Sequence, residues 1–328
     1  MSSEPALIPV FVPPLASVLA LAENKKGAAL GAAEVESIRD KSACIMMESA
    51  EAEKMAQARG FVDVNPKNCW ADWHRLRAQM TGKGYLPKIV LCVPGGDDLP
   101  SQCEPLLKAE STEHEFRPHD KNMVRAFNVA STTWPGFTPA DFARIESHTT
   151  VLYILSKNFT AGEAPAIAQR FLSLGRNLLS AGGIAIKSES SGIAHPKSRW
   201  DKFASDAAEA GYKKWNALFH AYVVLPIASK SEFYSCGMHL LGSPDLVVSQ
   251  SAVQGSAGKS DIASAIELFR EFGLYLLSEC PTGKFASGHT FSIKPDAPRY
   301  RVLWEPCERY AEDTLFFNPF GQWRFTNI

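Results

Sequence analysis

The chain contains no C-x-x-C pair; its seven cysteines, Cys44, Cys69, Cys92, Cys103, Cys236, Cys280 and Cys307, are scattered and odd in number. That spacing excludes a zinc ribbon and a dithiol redox motif, and it gives no disulfide framework, so the thiols read as reduced. An excess of charge is missing too. Lys plus Arg number 34 against 35 for Asp plus Glu, a net charge of −1, so no whole-chain field favours nucleic acid or an anionic membrane. Long apolar runs are also lacking. Residues 7–22 (LIPVFVPPLASVLALA) are interrupted by Pro13 and Pro14, fall short of the roughly 20 residues that span a bilayer, and follow Glu4 where a signal peptide would carry basic residues. These absences lead us to expect a cytoplasmic protein with no metal, no cofactor, no nucleic-acid partner and no membrane.

The catalytic signatures are each broken by one residue. Gly255-Ser256-Ala257-Gly258-Lys259-Ser260 follows the apolar Leu246-Val247-Val248, as a phosphate-binding loop would, but Val253 occupies the position of the leading glycine. Ser260-Asp261 reads instead as a helix cap with a first-turn carboxylate. His114-Glu115 and His119 are spaced five apart across Pro118, which breaks the helix a zinc-protease motif requires, so this segment is expected to be a solvated loop. Ser190 and Ser191 lie near Gly192 and His195, and Ser235-Cys236-Gly237 lies near His239. Neither is a nucleophile elbow, because Ser188 and Phe233 stand where glycine is needed. The nucleophilic arrangement left standing is Cys236, or a serine, with His195 or His239 as base. His195-Pro196 falls on a strand-to-helix connection with Trp200 beneath it, which makes His195 and Trp200 the candidate binding residues. Trp70 and Trp73 share helical spacing with Leu76 and read as core.

What is present describes a globular chain. At 328 residues, 45% hydrophobic and 21% charged, more than one domain is expected. Residues 1–84 form a small, mostly helical module. A buried helix over 7–22 starts at the prolines, which suit a first turn, and is followed by helices over 32–41, 49–59 and from 68 to Gly82, with a strand at 43–47. Gly82-Lys83-Gly84 is the expected boundary. From residue 85 the period changes. Strands are expected at 89–93, 150–155, 184–187, 222–227, 233–238, 246–248, 290–293, 299–304, 314–317 and 323–325, and helices at 139–147, 164–180, 197–210 and 261–278. Residues 97–139 carry no readable period. This order predicts an α+β fold, a ferredoxin-like, mainly antiparallel sheet with helices on one face, over residues 85–328.

Within that half, His148-Thr149-Thr150-Val151, Gly183-Ile184-Ala185-Ile186, Gly237-Met238-His239-Leu240-Leu241-Gly242-Ser243-Pro244-Asp245-Leu246-Val247-Val248 and Ser287-Gly288-His289-Thr290 occur in order. The set resembles the bacterial domain-of-unknown-function family 4261 over about residues 85–328, with the G-x-x-x-x-G-x-P-[DE]-x-x-V segment as its most specific part. The resemblance implies an α+β domain and supplies no catalytic set. The expectation that follows is a non-enzymatic protein that binds a protein partner, inhibiting it in the manner of an immunity protein. The alternative is a hydrolase using Cys236 or a serine with His195 or His239.

Overall fold

Pro13-Pro14 divides the first apolar run into a strand and a helix. In the computed structural model, which describes residues 7–59, 61–81, 84–131, 136–253, 261–280 and 285–328, β1 (Leu7–Phe11) precedes the prolines and α1 (Leu15–Lys26) follows them. The single helix expected over 7–22 is therefore corrected. The first-turn donors Leu15 N and Ala16 N, orphans in an isolated helix, are taken by the two oxygens of Asp63, each at 2.8 Å. Helix α2 (Ala32–Lys41) leads to β2 (Cys44–Glu48), which pairs antiparallel with β1, and α3 (Ser49–Arg59) and α4 (Cys69–Thr81) complete the segment. Phe11, Leu15, Leu19, Val35, Trp73 and Leu76 form a core cluster of their own. Buried Glu23 is neutralised by Arg77 at 2.7 Å, as a carboxylate out of water requires.

The next stretch builds the first large sheet from β3 (Val90–Gly95), α5 (Leu99–Ala109), β4 (Glu113–Pro118), α6 (Met123–Ala130), α7 (Pro139–Glu146), β5 (Thr150–Leu155), α8 (Ala164–Ser180), β6 (Ala185–Ser188) and β7 (Ile193–Pro196). Its order is β4-β5-β3-β6-β7, antiparallel throughout. The first four strands, with α5 and α8 as crossovers, have the ferredoxin-like arrangement, and β7 extends it as a hairpin. Alternation explains the covering of both faces. Leu91, Val93, Leu152, Ile154 and Ile186 pack with Leu99, Leu107, Ala168 and Leu172 of α5 and α8. Cys92, Val151 and Ala185 pack with Met123, Phe127 and Ile145 of α6 and α7. Residues 113–118, expected to be a solvated loop, are instead strand β4.

Helices α9 (Lys197–Ala207) and α10 (Tyr212–Tyr222) lead into a second sheet of β8 (Val224–Ala228), β9 (Glu232–Cys236), β10 (Asp245–Ser249), β11 (Thr290–Phe291), β12 (Tyr300–Glu305) and β13 (Gln322–Asn327), with α11 (Asp261–Ser278) between β10 and β11. The order is β11-β12-β13-β10-β9-β8, and β10 and β13 are its parallel pair. Where one sheet was expected there are two, and buried residues of α8, α9, α10 and α11 join both in one core. No strand forms at 314–317. No helix among the described residues is long and apolar enough to cross a membrane.

Candidate functional site

Two of the residues nominated from sequence, Cys236 and His239, lie where β9 gives way to a 3₁₀ turn, Met238–Leu241, and the turn to β10. Gly237 and Gly242 flank that turn with φ of 115° and 76°, a left-handed region open to glycine at little cost. Beyond it sits Asp245, buried, accepting hydrogen bonds from Ser235 Oγ at 3.0 Å, Met238 N at 3.2 Å and Asn318 Nδ2 at 2.8 Å. Burial raises its acid pKa to about 6, opposed by these donors, Asn318 first. Ser235 Oγ also accepts from Leu246 N at 2.9 Å. The cluster thus ties the end of β9 to the start of β10 and to the loop before β13.

Each candidate for chemistry is buried within the fold. Cys236 is 1% exposed, and burial pushes its thiol well above the ordinary range, with the charge of Asp245 acting in the same direction. His239 donates from Nε2 to the Leu315 carbonyl at 3.1 Å, and burial lowers its pKa to about 4. His195 lies in β7, not on the connection after it; its Nε2 donates to the Ala221 carbonyl at 3.1 Å, and burial, then the charge of Arg199, lower it to about 3. Trp200 is fully buried in α9 and donates to the Leu172 carbonyl at 2.9 Å. Ser190 Oγ donates to the Lys88 carbonyl at 2.8 Å and Ser191 Oγ to Ser188 Oγ at 3.0 Å. The structure brings Ser191 and Gly237 together, since a Cβ on Gly237 would come within 2.9 Å of Ser191 Cβ, yet no hydrogen bond joins Cys236 to either histidine. A buried neutral thiol without a bonded base is the opposite of an activated nucleophile.

The remaining motifs also resolve into structure. His114 Nδ1 donates to the Thr112 carbonyl at 2.9 Å, and His119 Nδ1 to the His148 carbonyl at 2.8 Å while stacking on His148 at 4.4 Å. No group of three His, Cys, Asp or Glu residues able to hold a metal occurs among the described residues. The interrupted phosphate-loop motif at 255–260 lies outside them, as do Gly82 and Lys83 of the expected boundary. Trp73 is core, and Trp70 meets Trp304 edge-on at 6.5 Å.

The buried histidines set an acid limit on the fold. Their folded pKa values, about 3 for His195 and about 4 for His239, lie below the about 6.5 of an unfolded chain. The unfolded state therefore takes up protons first, and stability that is intact above pH about 6.5 is lost as pH falls towards 4. The melting temperature is expected to drop across that window and to drop less steeply in His195→Gln; identical profiles for the two proteins would contradict the assignment.

Two surface features were not legible in the sequence. One is the β1/β2 ribbon. Leu7, Ile8, Val12, Ile45 and Met46 account for five of the eleven exposed large hydrophobic residues found among the described residues, with Leu7 and Met46 each 56% exposed; the register sets Leu7 with Met46 on one face and Ile8 with Ile45 on the other, so both faces of the ribbon carry exposed apolar side chains. The other is a cavity between α4 and the second sheet, walled by residues from seven separate stretches of chain, which no spacing rule connects. No protein family matches the chain, and no curated protein or solved structure does so either.

Proposed function

We propose that this chain is a non-enzymatic protein that works by binding an extended segment of a protein partner along the β1/β2 ribbon. The observation that carries this reading is the apolar ribbon itself. Each strand has the other as its sole strand neighbour among the described residues, so backbone donors and acceptors face outward beside exposed aliphatic side chains, the arrangement strand addition uses. Pro9 removes a donor from β1, which leaves β2, with Ile45 and Met46, as the strand with its full set of donors. In this reading residues 1–84 are the recognition module and residues 85–328 the α+β scaffold. The setting it suits is the cytoplasm, with inhibition of the partner in the manner of an immunity protein. The hydrolase alternative loses its footing because Cys236, His239 and His195 are buried and neutral.

The test is capture from the source organism followed by titration of the purified partner against the full chain. Ile45→Lys/Met46→Lys, at exposed positions on opposite faces of β2, is expected to keep the wild-type melting temperature and to weaken partner affinity by roughly a hundredfold, the loss of one anchor on whichever face the partner covers. Unchanged affinity in the folded variant would overturn the ribbon as the docking site.

A further inference from the structure

The cavity between α4 and the second sheet has a volume of about 230 Å³. Its wall is aromatic: Trp215 from α10, Trp304 from β12, Trp323 from β13 and Phe285 before β11 line it, with Arg75 of α4 on the facing side. Trp304 and Trp323 are held in place by more than packing. Trp304 Nε1 donates to the Phe320 carbonyl at 2.8 Å, and Phe285 stands edge-on to Trp323 at 5.4 Å. The polar groups divide unequally. Asp72 is committed to its own chain, accepting from Asn65 N at 2.9 Å. Arg75 is the sole cation among the described wall residues. Its side chain is 16% exposed and pairs with Asp72 Oδ1 across 3.9 Å, a separation beyond hydrogen-bond reach. The guanidinium is thus part-buried in a long ion pair, next to flat apolar walls. A planar fork of this kind matches a carboxylate in bidentate geometry.

We propose that this cavity is a binding site for a small carboxylate with a flat apolar body, the carboxylate on Arg75 and the body against Trp304 and Trp323. The volume lies below the about 300–1,000 Å³ typical of drug-sized sites, which limits the ligand to a fragment such as an arylacetate. Arg75 belongs to the N-terminal segment and the tryptophans to the second sheet, so the ligand bridges the two and stabilises their packing by mass action. This site is independent of the ribbon, and either can fail without the other.

Calorimetric titration of the full chain with phenylacetate, phenylacetamide and phenethylamine tests the proposal. Phenylacetate is expected to saturate and to raise the melting temperature. The amide, which has the same shape without the charge, is expected to bind at least roughly tenfold more weakly, the loss of a charge-assisted hydrogen bond, and the amine not at all. Arg75→Gln is expected to abolish the preference for acid over amide, while Arg75→Lys keeps the charge without the fork and retains part of it. Absence of saturable phenylacetate binding, equal affinity for acid and amide in the wild-type chain, or an undiminished preference in Arg75→Gln would each overturn it. The acid-against-amide comparison needs no variant and stands even if a substitution disturbs folding.

Discussion

Gly242→Ala and Gly237→Ala are each expected to lower the unfolding free energy by roughly 2–5 kcal/mol, the sum of left-handed strain and of overpacking against rigid backbone. A Cβ on Gly242 would lie 3.0 Å from the Ala161 carbonyl carbon and 3.1 Å from its Cα, and one on Gly237 would be 3.1 Å from the Tyr222 carbonyl carbon. In both cases the carbonyl oxygen is nearer still, and backbone cannot rotate away as a flexible side chain does. Gly27 provides the control. It has the same left-handed backbone, φ 72° and ψ 5°, but nothing within 4 Å of an added Cβ, so Gly27→Ala should show only the strain, about 1–2 kcal/mol. Urea unfolding of the three variants reads the difference directly. Equal losses at Gly27 and Gly242 would mean that close approach to Ala161 contributes nothing, and a wild-type midpoint in Gly242→Ala would contradict the structural role of the whole 237–248 segment.

Asp245 should show itself through pH. Its folded pKa is raised from 3.8 to about 6, so between these values the folded chain holds a proton that the unfolded chain has released. The stability associated with that proton is complete below pH about 4 and is lost as pH rises through 6, a change of about 3 kcal/mol at 1.36 kcal/mol per unit. The buried histidines act in the opposite sense over part of the same range, which is why a variant is needed to isolate the carboxyl. In Asp245→Asn the titrating group is gone, and the stability of wild type relative to this variant is expected to fall by about 3 kcal/mol between pH 4 and pH 7. At every pH the variant carries a mismatch as well, because an amide nitrogen would face Asn318 Nδ2, a donor already shared between Asp245 and the Ser243 carbonyl. A pH-independent difference would show that Asp245 titrates normally and is not buried as described.

The elements that sequence periodicity rendered well are those with a complete pattern between clear stops. Residues 49–59, 164–180 and 261–278 are helices with the expected bounds; apolar spacing, length and terminal residues agree in the last two, while 49–59, which buries no side chain, was marked by its length and helix-forming composition. Helix α10 escaped because Leu218, Phe219, Ala221 and Tyr222, all buried, run into the apolar strand β8 with Val223 alone between them, and no glycine or proline marks the change. Helix α5 was hidden by Pro100 and Pro105, which read as breaks although the first sits harmlessly in the opening turn. The strand–helix division at Pro13-Pro14 was misread because prolines fit a helix start and a strand end equally well.

The candidate site was legible as residue types and illegible as environment. Cys236, His239 and His195 have the chemistry of a nucleophile and two bases, but all three are buried, and the segment that follows the first two is fixed by the parallel pairing of Asp245 with Gln322 and Leu246 with Trp323, contacts between segments far apart in the chain. Carbonyls such as Leu315 and Ala221 then need donors, and the imidazoles supply them. The exposed apolar side chains of the β1/β2 ribbon were unreadable for a related reason, since an apolar run ordinarily signals burial and exposure depends on what the rest of the chain leaves uncovered.

Amide hydrogen exchange of the full chain, with and without the captured partner, tests binding at the ribbon most directly. Slowed exchange of the amides of residues 44–48, with residues 236–245 unchanged because they are already protected in the core, is the result predicted. Slowed exchange centred on residues 236–245 with 44–48 unaffected would contradict it, and would return Cys236 and His239 to the centre of the function.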